Sequence, residues 1–265
     1  MRFFDQRTCG SIELNRYYQH SLPDQDIKKI RVFARNAVDI MTTDTSSTLT
    51  RHRHICEDII TVARRLHQKN MLAAADGNIS SRVNENEILI TPSGVSKAFM
   101  QPEDMALISL DGRVLGGQPS SERQMHLEIY RQCHQAKAVV HAHPPTAIAW
   151  SIARPDLTCL PSHALSEVIL SCGDIPFVPY ARPGSQAMGK NLSGFLPRYR
   201  ALILARHGAL AWGESLEEAW KGMERIEHSA EILWKAVTLG GLTFLPDDEI
   251  AALRILRQRI GDRLL

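Results

Sequence analysis

The sequence predicts an α/β protein in which a mostly antiparallel central sheet is sandwiched by helices. Three observations carry that prediction. Short apolar runs come in pairs around turn residues, at Asn84-Glu85-Asn86 and again at Asp111-Gly112, which is the punctuation of β-hairpins. Two longer apolar runs, AVVHAH and ALILARHGALAW, read as buried strands. Around them lie stretches with apolar residues three or four apart, the stripe of an amphipathic helix.

Taken in order, residues 1–48 differ from the rest. They are rich in arginine and polar residues and end in the Ser/Thr run TTDTSSTLT, which buries too little apolar surface to pack alone. They read as an N-terminal extension with a flexible linker, in which IKKIRVFARNAVDIM has helical spacing. Residues 49–265 read as one large domain. Its first helix carries Ile55, Ile59, Val62 and Leu66 on one face and stops before Asp76-Gly77. NISSRV and EILITPSG form a hairpin, and MALISLDGRVLGG forms a second. A helix opens at Ser120-Ser121-Glu122 and leads into the AVVHAH strand. Helices follow over 145–153, 156–174 and 185–196, with the strand IPFVPY between the last two. ALILARHGALAW reads as a strand pair or as one long strand bent at Gly208. Ser215 and Glu218 form a capping box for a long helix that Gly240-Gly241 ends. Its stripe of Ala219, Met223, Ile226, Ala230, Leu233 and Val237 is core or subunit contact, so Glu224, Glu227 and His228 on it read as structural. A last helix starts at Asp247.

Bulk properties narrow the function classes. With 265 residues, 44% of them hydrophobic and 23% charged, the chain has the composition of a globular domain. A net charge of +2 gives no electrostatic case for nucleic acid or a membrane surface as partner. No apolar run reaches the roughly 20 residues of a transmembrane helix, and MRFFDQRTCG is no signal peptide. The five cysteines, Cys9, Cys56, Cys133, Cys159 and Cys172, form no CxxC pair and read as reduced thiols of a cytoplasmic protein.

The chemistry begins at His141-Ala142-His143. Side chains alternate along a strand, so two imidazoles two residues apart share a face and can grip one metal ion. Zinc is the default for neutral nitrogen ligands, and a catalytic site needs a third ligand plus an open position. Both the third histidine and a carboxylate must come from elsewhere in the chain.

Four further motifs stand along the sequence: Gly77-Asn78-Ile79-Ser80, Thr91-Pro92-Ser93-Gly94, Ser120-Ser121-Glu122 and His207-Gly208. Taken singly, Asn78 or Ser93 is a turn residue, Ser120 an N-cap, Glu122 a first-turn charge and His207 a core histidine. Together, and in this order over residues 51 to 240, they resemble the class II aldolase/adducin superfamily, most of all its L-fuculose-1-phosphate aldolase branch. The resemblance implies a three-layer fold with one Zn2+ on His141, His143 and His207. It makes Glu122 the acid/base, and a metal ligand in the substrate-free state. It also implies a homotetramer with active sites near subunit boundaries. The chemistry is consistent: cleavage beside a ketone leaves an enediolate, whose charge a metal held by neutral imidazoles stabilises and whose proton one carboxylate can move. A phosphate dianion can be held by hydroxyls and amide N–H groups without lysine, and Asn78, Ser93, Gly94, Ser120 and Ser121 are the residues for it.

The expected reaction is reversible cleavage of a ketose 1-phosphate to dihydroxyacetone phosphate and a short aldehyde. Alternatives on the same fold are a pentulose-phosphate 4-epimerase, a sugar-acid phosphate decarboxylase, a methylthioribulose-phosphate dehydratase and a non-enzymatic adducin-like scaffold. Epimerases of the group typically carry Ser-Ser-Asp where this chain has Ser-Ser-Glu, and adducin-like heads have lost the zinc histidines. Two features depart from the aldolase pattern. Arg206 stands where relatives usually have a small polar residue, and no tyrosine follows Tyr199 to handle the aldehyde half. Among the other histidines, His163 lies in a region that faces the site in relatives, while His126 has no such support.

Overall fold

A computed structural model describes residues 47–265. The extension read over residues 1–48 lies outside the described residues except for its last two positions.

Helix α1 (Arg53–Gln68) forms where the stripe predicts and buries Cys56, Ile59, Val62 and Leu66. The two expected hairpins follow as a meander of β1 (Asn78–Arg82), β2 (Glu87–Ile90), β3 (Ala106–Ser109) and β4 (Val114–Gly116), every pairing antiparallel. The first turn closes because the Asn84 side-chain oxygen accepts the Asn86 N–H at 2.9 Å, an Asx turn. Next come α2 (Arg123–Gln132), β5 (Ala138–Ala142), α3 (Pro145–Ala153), α4 (Ser166–Ser171), the two-residue β6 (Phe177–Val178) and α5 (Ala187–Lys190). ALILARHGALAW resolves into a strand pair, β7 (Ala201–Leu204) and β8 (Gly208–Gly213). The long α6 (Leu216–Thr238) and then α7 (Asp247–Ile260) complete the chain.

The strands form one eight-stranded sheet among the described residues, in the order β4-β3-β2-β1-β5-β8-β7-β6. It is mixed: the β6–β7 pair is parallel and the others antiparallel. Strand alternation gives the sheet two apolar faces. Ala138, Val140 and Ala142 of β5 join α1, α3 and α6 in one buried layer, while Val139 joins α2 and α5 in the other. Helices therefore cover both sides of the sheet.

Four expectations need correction. The helix read over 156–174 is only α4 plus a single 3-10 turn at Ser162–Ala164. Pro161 interrupts it, and its start lies extended beside β6, with the Phe177 N–H donating to the Thr158 carbonyl at 2.8 Å. The helix read over 185–196 shrinks to α5 followed by turns. Helix α2 begins at Arg123, so Ser120 and Ser121 form the turn before it. Half of the capping box is present: Ser215 Oγ accepts the Glu218 N–H at 3.1 Å. The Glu218 carboxylate turns instead to the N–H groups of Glu214 and Leu264 and to buried Arg200.

A three-histidine centre and candidate active site

Strands β1, β5 and β8 lie side by side in the middle of the sheet, and the site is built at their shared end. His141 is directly opposite Asn78 on β1 and Leu210 on β8. His141 is on the same strand face as Val139, toward α2. His143 continues one step past the end of β5, and His207 closes the turn between β7 and β8. One nitrogen from each of the three histidines lies within 4.8 Å of the other two.

The second nitrogens explain the orientation of the rings. His141 Nδ1 lies 2.8 Å from the Ala209 carbonyl oxygen, so it must donate. His143 Nδ1 faces Asp76 at 3.3 Å. These partners leave both Nε2 atoms as acceptors, 3.2 Å apart. The Glu122 carboxylate joins them, Oε2 at 3.2 Å from His141 Nε2 and Oε1 at 3.2 Å from His207 Nε2. Acceptors that converge in this way repel one another unless protons or a cation sit among them, so the donor set fits a divalent metal ion. Burial opposes the charge on Glu122, but where the rings of His141 and His207 carry protons at Nε2 their bonds and charges outweigh it and hold its carboxyl well below the usual carboxylate range. Burial, with its two neighbouring imidazoles, pushes His143 down to about 4.

A cavity of about 300 Å³ opens beside this cluster. Its walls include Asn78, Ser93, Gly94, Ser120, Ser121, Glu122, His143 and His207, so the five residues expected to take phosphate share one space with the histidine centre. The two serine motifs are held together by the backbone: the Ser93 N–H donates to Gln118 O at 3.0 Å and the Ser120 N–H to Thr91 O at 3.2 Å. Gly94 has φ +71°, a left-handed conformation that suits glycine, and a Cβ there would meet open space. Backbone geometry is thus what requires this glycine.

Two residues, His126 and Lys97, escaped the sequence reading, and Gly208 gains a role beyond the bend expected of it. His126 is fully buried on α2, bonded to Asn78 and Ser80. Lys97 also lines the cavity, yet is buried and donates to the Ala75 and Val95 carbonyls at 2.8 and 2.7 Å; burial lowers its pKa. Gly208 lies against the rings of the histidine centre: a Cβ there would come within 2.8 Å of His141 and 2.9 Å of His143. Other candidates turn away from the centre. Exposed Arg206 lines a separate cavity with Ser151 and Arg154, its N–H donating to Ser151 Oγ at 2.9 Å. The β7–β8 turn holds it at φ +61°, a conformation that an asparagine adopts at lower cost. His163 pairs with Asp174 and Arg254. Glu227 caps α3, accepting the Thr146 and Ala147 N–H groups at 3.0 Å.

The chain belongs to the class II aldolase family: the description "Class II Aldolase and Adducin N-terminal domain" matches residues 57–234. Within that family it is similar to the 3-oxo-tetronate 4-phosphate decarboxylase of Escherichia coli K12, with 33% identity over 75% of this chain and 94% of that protein. It is also similar to an L-fuculose phosphate aldolase of Methanococcus maripaludis, with 31% identity over 66% of this chain and 93% of the relative. Among solved structures it resembles YgbL from Escherichia coli, described as a putative aldolase/epimerase/decarboxylase, with TM-score 0.68 and 30% identity over 76% of this chain and 98% of that one.

Proposed function

We propose that this protein is a metal-dependent carbon–carbon lyase that decarboxylates a phosphorylated 3-oxo sugar acid. The observation that carries this reading is the similarity, over nearly the whole length of the relative, to 3-oxo-tetronate 4-phosphate decarboxylase. The lack of any tyrosine after Tyr199 supports it, because loss of CO2 leaves no aldehyde half to protonate. The ketose 1-phosphate aldolase reading is second, favoured by the fuculose phosphate aldolase relative. The two reactions share an electronic problem: the C–C bond next to a ketone breaks, and its electron pair becomes an enediolate.

In the decarboxylation the C1–C2 bond breaks, CO2 leaves, and one proton is added at C2, giving a three-carbon ketose phosphate. A zinc ion on His141, His143 and His207, when bound, supplies Lewis-acid stabilisation of that enediolate. Glu122 carries the proton to carbon, drawing it from solvent. Ser93, Gly94, Ser120, Ser121 and Asn78 hold the phosphate through hydroxyl and amide hydrogens. The chain assembles as a homotetramer, supported by the apolar surface that Trp234, Val237 and Leu239 leave exposed on and just beyond α6.

The test is the purified, zinc-loaded protein offered 3-oxo-tetronate 4-phosphate and, separately, ketose 1-phosphates. Release of CO2 is expected; aldehyde formation alone would move the assignment to the aldolase. Glu122→Gln is expected to slow turnover by about 10²–10⁴-fold with bound zinc retained. Protein free of zinc after purification and reloading would end both readings. An active monomer by light scattering would overturn the tetramer.

A further inference from the structure

Behind Glu122 runs a line of buried polar groups of which the chemistry above uses only Asn78. Asn78 Nδ2 lies 2.9 Å from Glu122 Oε2. Asn78 Oδ1 meets His126 Nε2, His126 Nδ1 lies 2.6 Å from Ser80 Oγ, and Ser80 Oγ lies 2.9 Å from the Tyr130 hydroxyl. Asn78, Ser80, His126 and Tyr130 are each at most 2% exposed.

Only one assignment of protons satisfies the whole line. A carboxylate only accepts, so the Asn78 amide donates to Glu122 and its carbonyl oxygen is left to accept. His126 must then donate from Nε2. A neutral imidazole has one N–H, so Nδ1 accepts the Ser80 hydroxyl proton, and Ser80 Oγ accepts that of Tyr130. Burial keeps the ring neutral, pushing His126 down to about 3. Each link fixes the next, from a tyrosine deep under the sheet to the carboxylate at the cavity wall.

We infer that His126 is a positioning residue: locked as its Nε2–H tautomer, it holds Asn78 in the one amide orientation that bonds Glu122 and so aims that carboxylate at the histidine centre. The inference rests on Glu122 being the proton-handling group. Loss of His126 lets the Asn78 amide and the carboxylate rotate, and misplacement of about 1 Å costs roughly 10²-fold in rate.

Two measurements on the zinc-loaded full chain test it. The first is the 15N spectrum of histidine-labelled protein, which reports the His126 tautomer without any substrate. Nε2–H is expected, and Nδ1–H would overturn the lock. The second is exchange of the carbon-bound proton of dihydroxyacetone phosphate with deuterated water. His126→Leu and Asn78→Ala are each expected to slow exchange by roughly 10²-fold with zinc content nearly unchanged; KM is expected to stay nearly unchanged in His126→Leu, and the double variant is expected to be no slower than Asn78→Ala alone. His126→Gln, whose amide can donate from the Nε2 position, is expected to recover much of the loss. If His126→Leu fails to fold, Ser80→Ala, which frees the tautomer while keeping the ring, replaces it in the cycle. Additive losses, or full exchange per folded molecule, would overturn the inference. Absence of exchange in the wild type would sink the functional reading instead and leave the tautomer spectrum to decide this one.

Discussion

Gly208 shows how one absent methyl group shapes the site. A Cβ at this position would come 2.6 Å from the Ala142 carbonyl and press on the His141 and His143 rings. Gly208→Ala is therefore expected to weaken zinc affinity by at least tenfold while far-ultraviolet circular dichroism stays the same, as a competitive chelator titration would show. His126 sets a different expectation, at acid pH. Its folded pKa, about 3, lies below the ordinary value of 6.5, so between these values the unfolded chain binds the proton more readily. Stability from this group is fully present above pH 6.5 and falls as pH drops toward 3, by up to about 1.4 kcal/mol per pH unit. The stability advantage of metal-free wild type over His126→Gln should shrink accordingly in denaturant titrations at stepped pH. The histidines of the centre were legible because two stand at strand spacing and the third precedes a glycine in a family motif. His126 was not legible, since its role depends on β1 lying beside β5 and beneath α2, a pairing of segments more than 40 residues apart.

At the scale of elements, periodicity located α1, α6 and α7, because each presents one apolar face, α1 and α6 to the sheet and α7 to α4, and turn residues located both hairpins. It failed over 156–174 and 185–196. There apolar residues are frequent, but prolines and pairing with the sheet edge decide the backbone. The start of α6 shows a further limit. Ser215 caps as its sequence predicts, while Glu218 is drawn into a buried pair with Arg200 at 2.8 Å and accepts the Leu264 N–H at 3.0 Å. No local pattern could reveal a partner 46 residues away. Removing one member of a buried pair leaves the other charge uncompensated. Glu218→Ala is thus expected to cost about 3–5 kcal/mol in chemical denaturation, against about 1 kcal/mol for Ser215→Ala. Zinc stoichiometry should survive both.

For the molecule as a whole, the centre joins the end of β5 to the β7–β8 turn, and Glu122 reaches both from the start of α2. An ion bound only by the folded arrangement stabilises it by mass action, by about 4 kcal/mol at a thousandfold excess over its dissociation constant. Chelation is expected to lower the melting temperature by several degrees, and zinc to restore it; a melting curve indifferent to chelator would show that the three histidines hold no ion in solution. The line from Tyr130 to Glu122 has a consequence for chain length. Glu122, at the N-cap of α2, and His126 and Tyr130 within it are spaced by four, and Asn78 and Ser80 by two on a strand. Four helical residues rise about 6 Å and two extended ones about 6.6 Å, so the two rulers agree for a couple of graduations and then drift apart, like a vernier. Substitution alters a mark on one scale, whereas a single inserted residue slides the scale itself. It turns Glu122 by about 100° on the helix or carries Asn78 to the opposite face of the sheet. Insertions between 122 and 126, or between 78 and 80, should therefore abolish turnover, while insertions in the 83–86 turn should be absorbed.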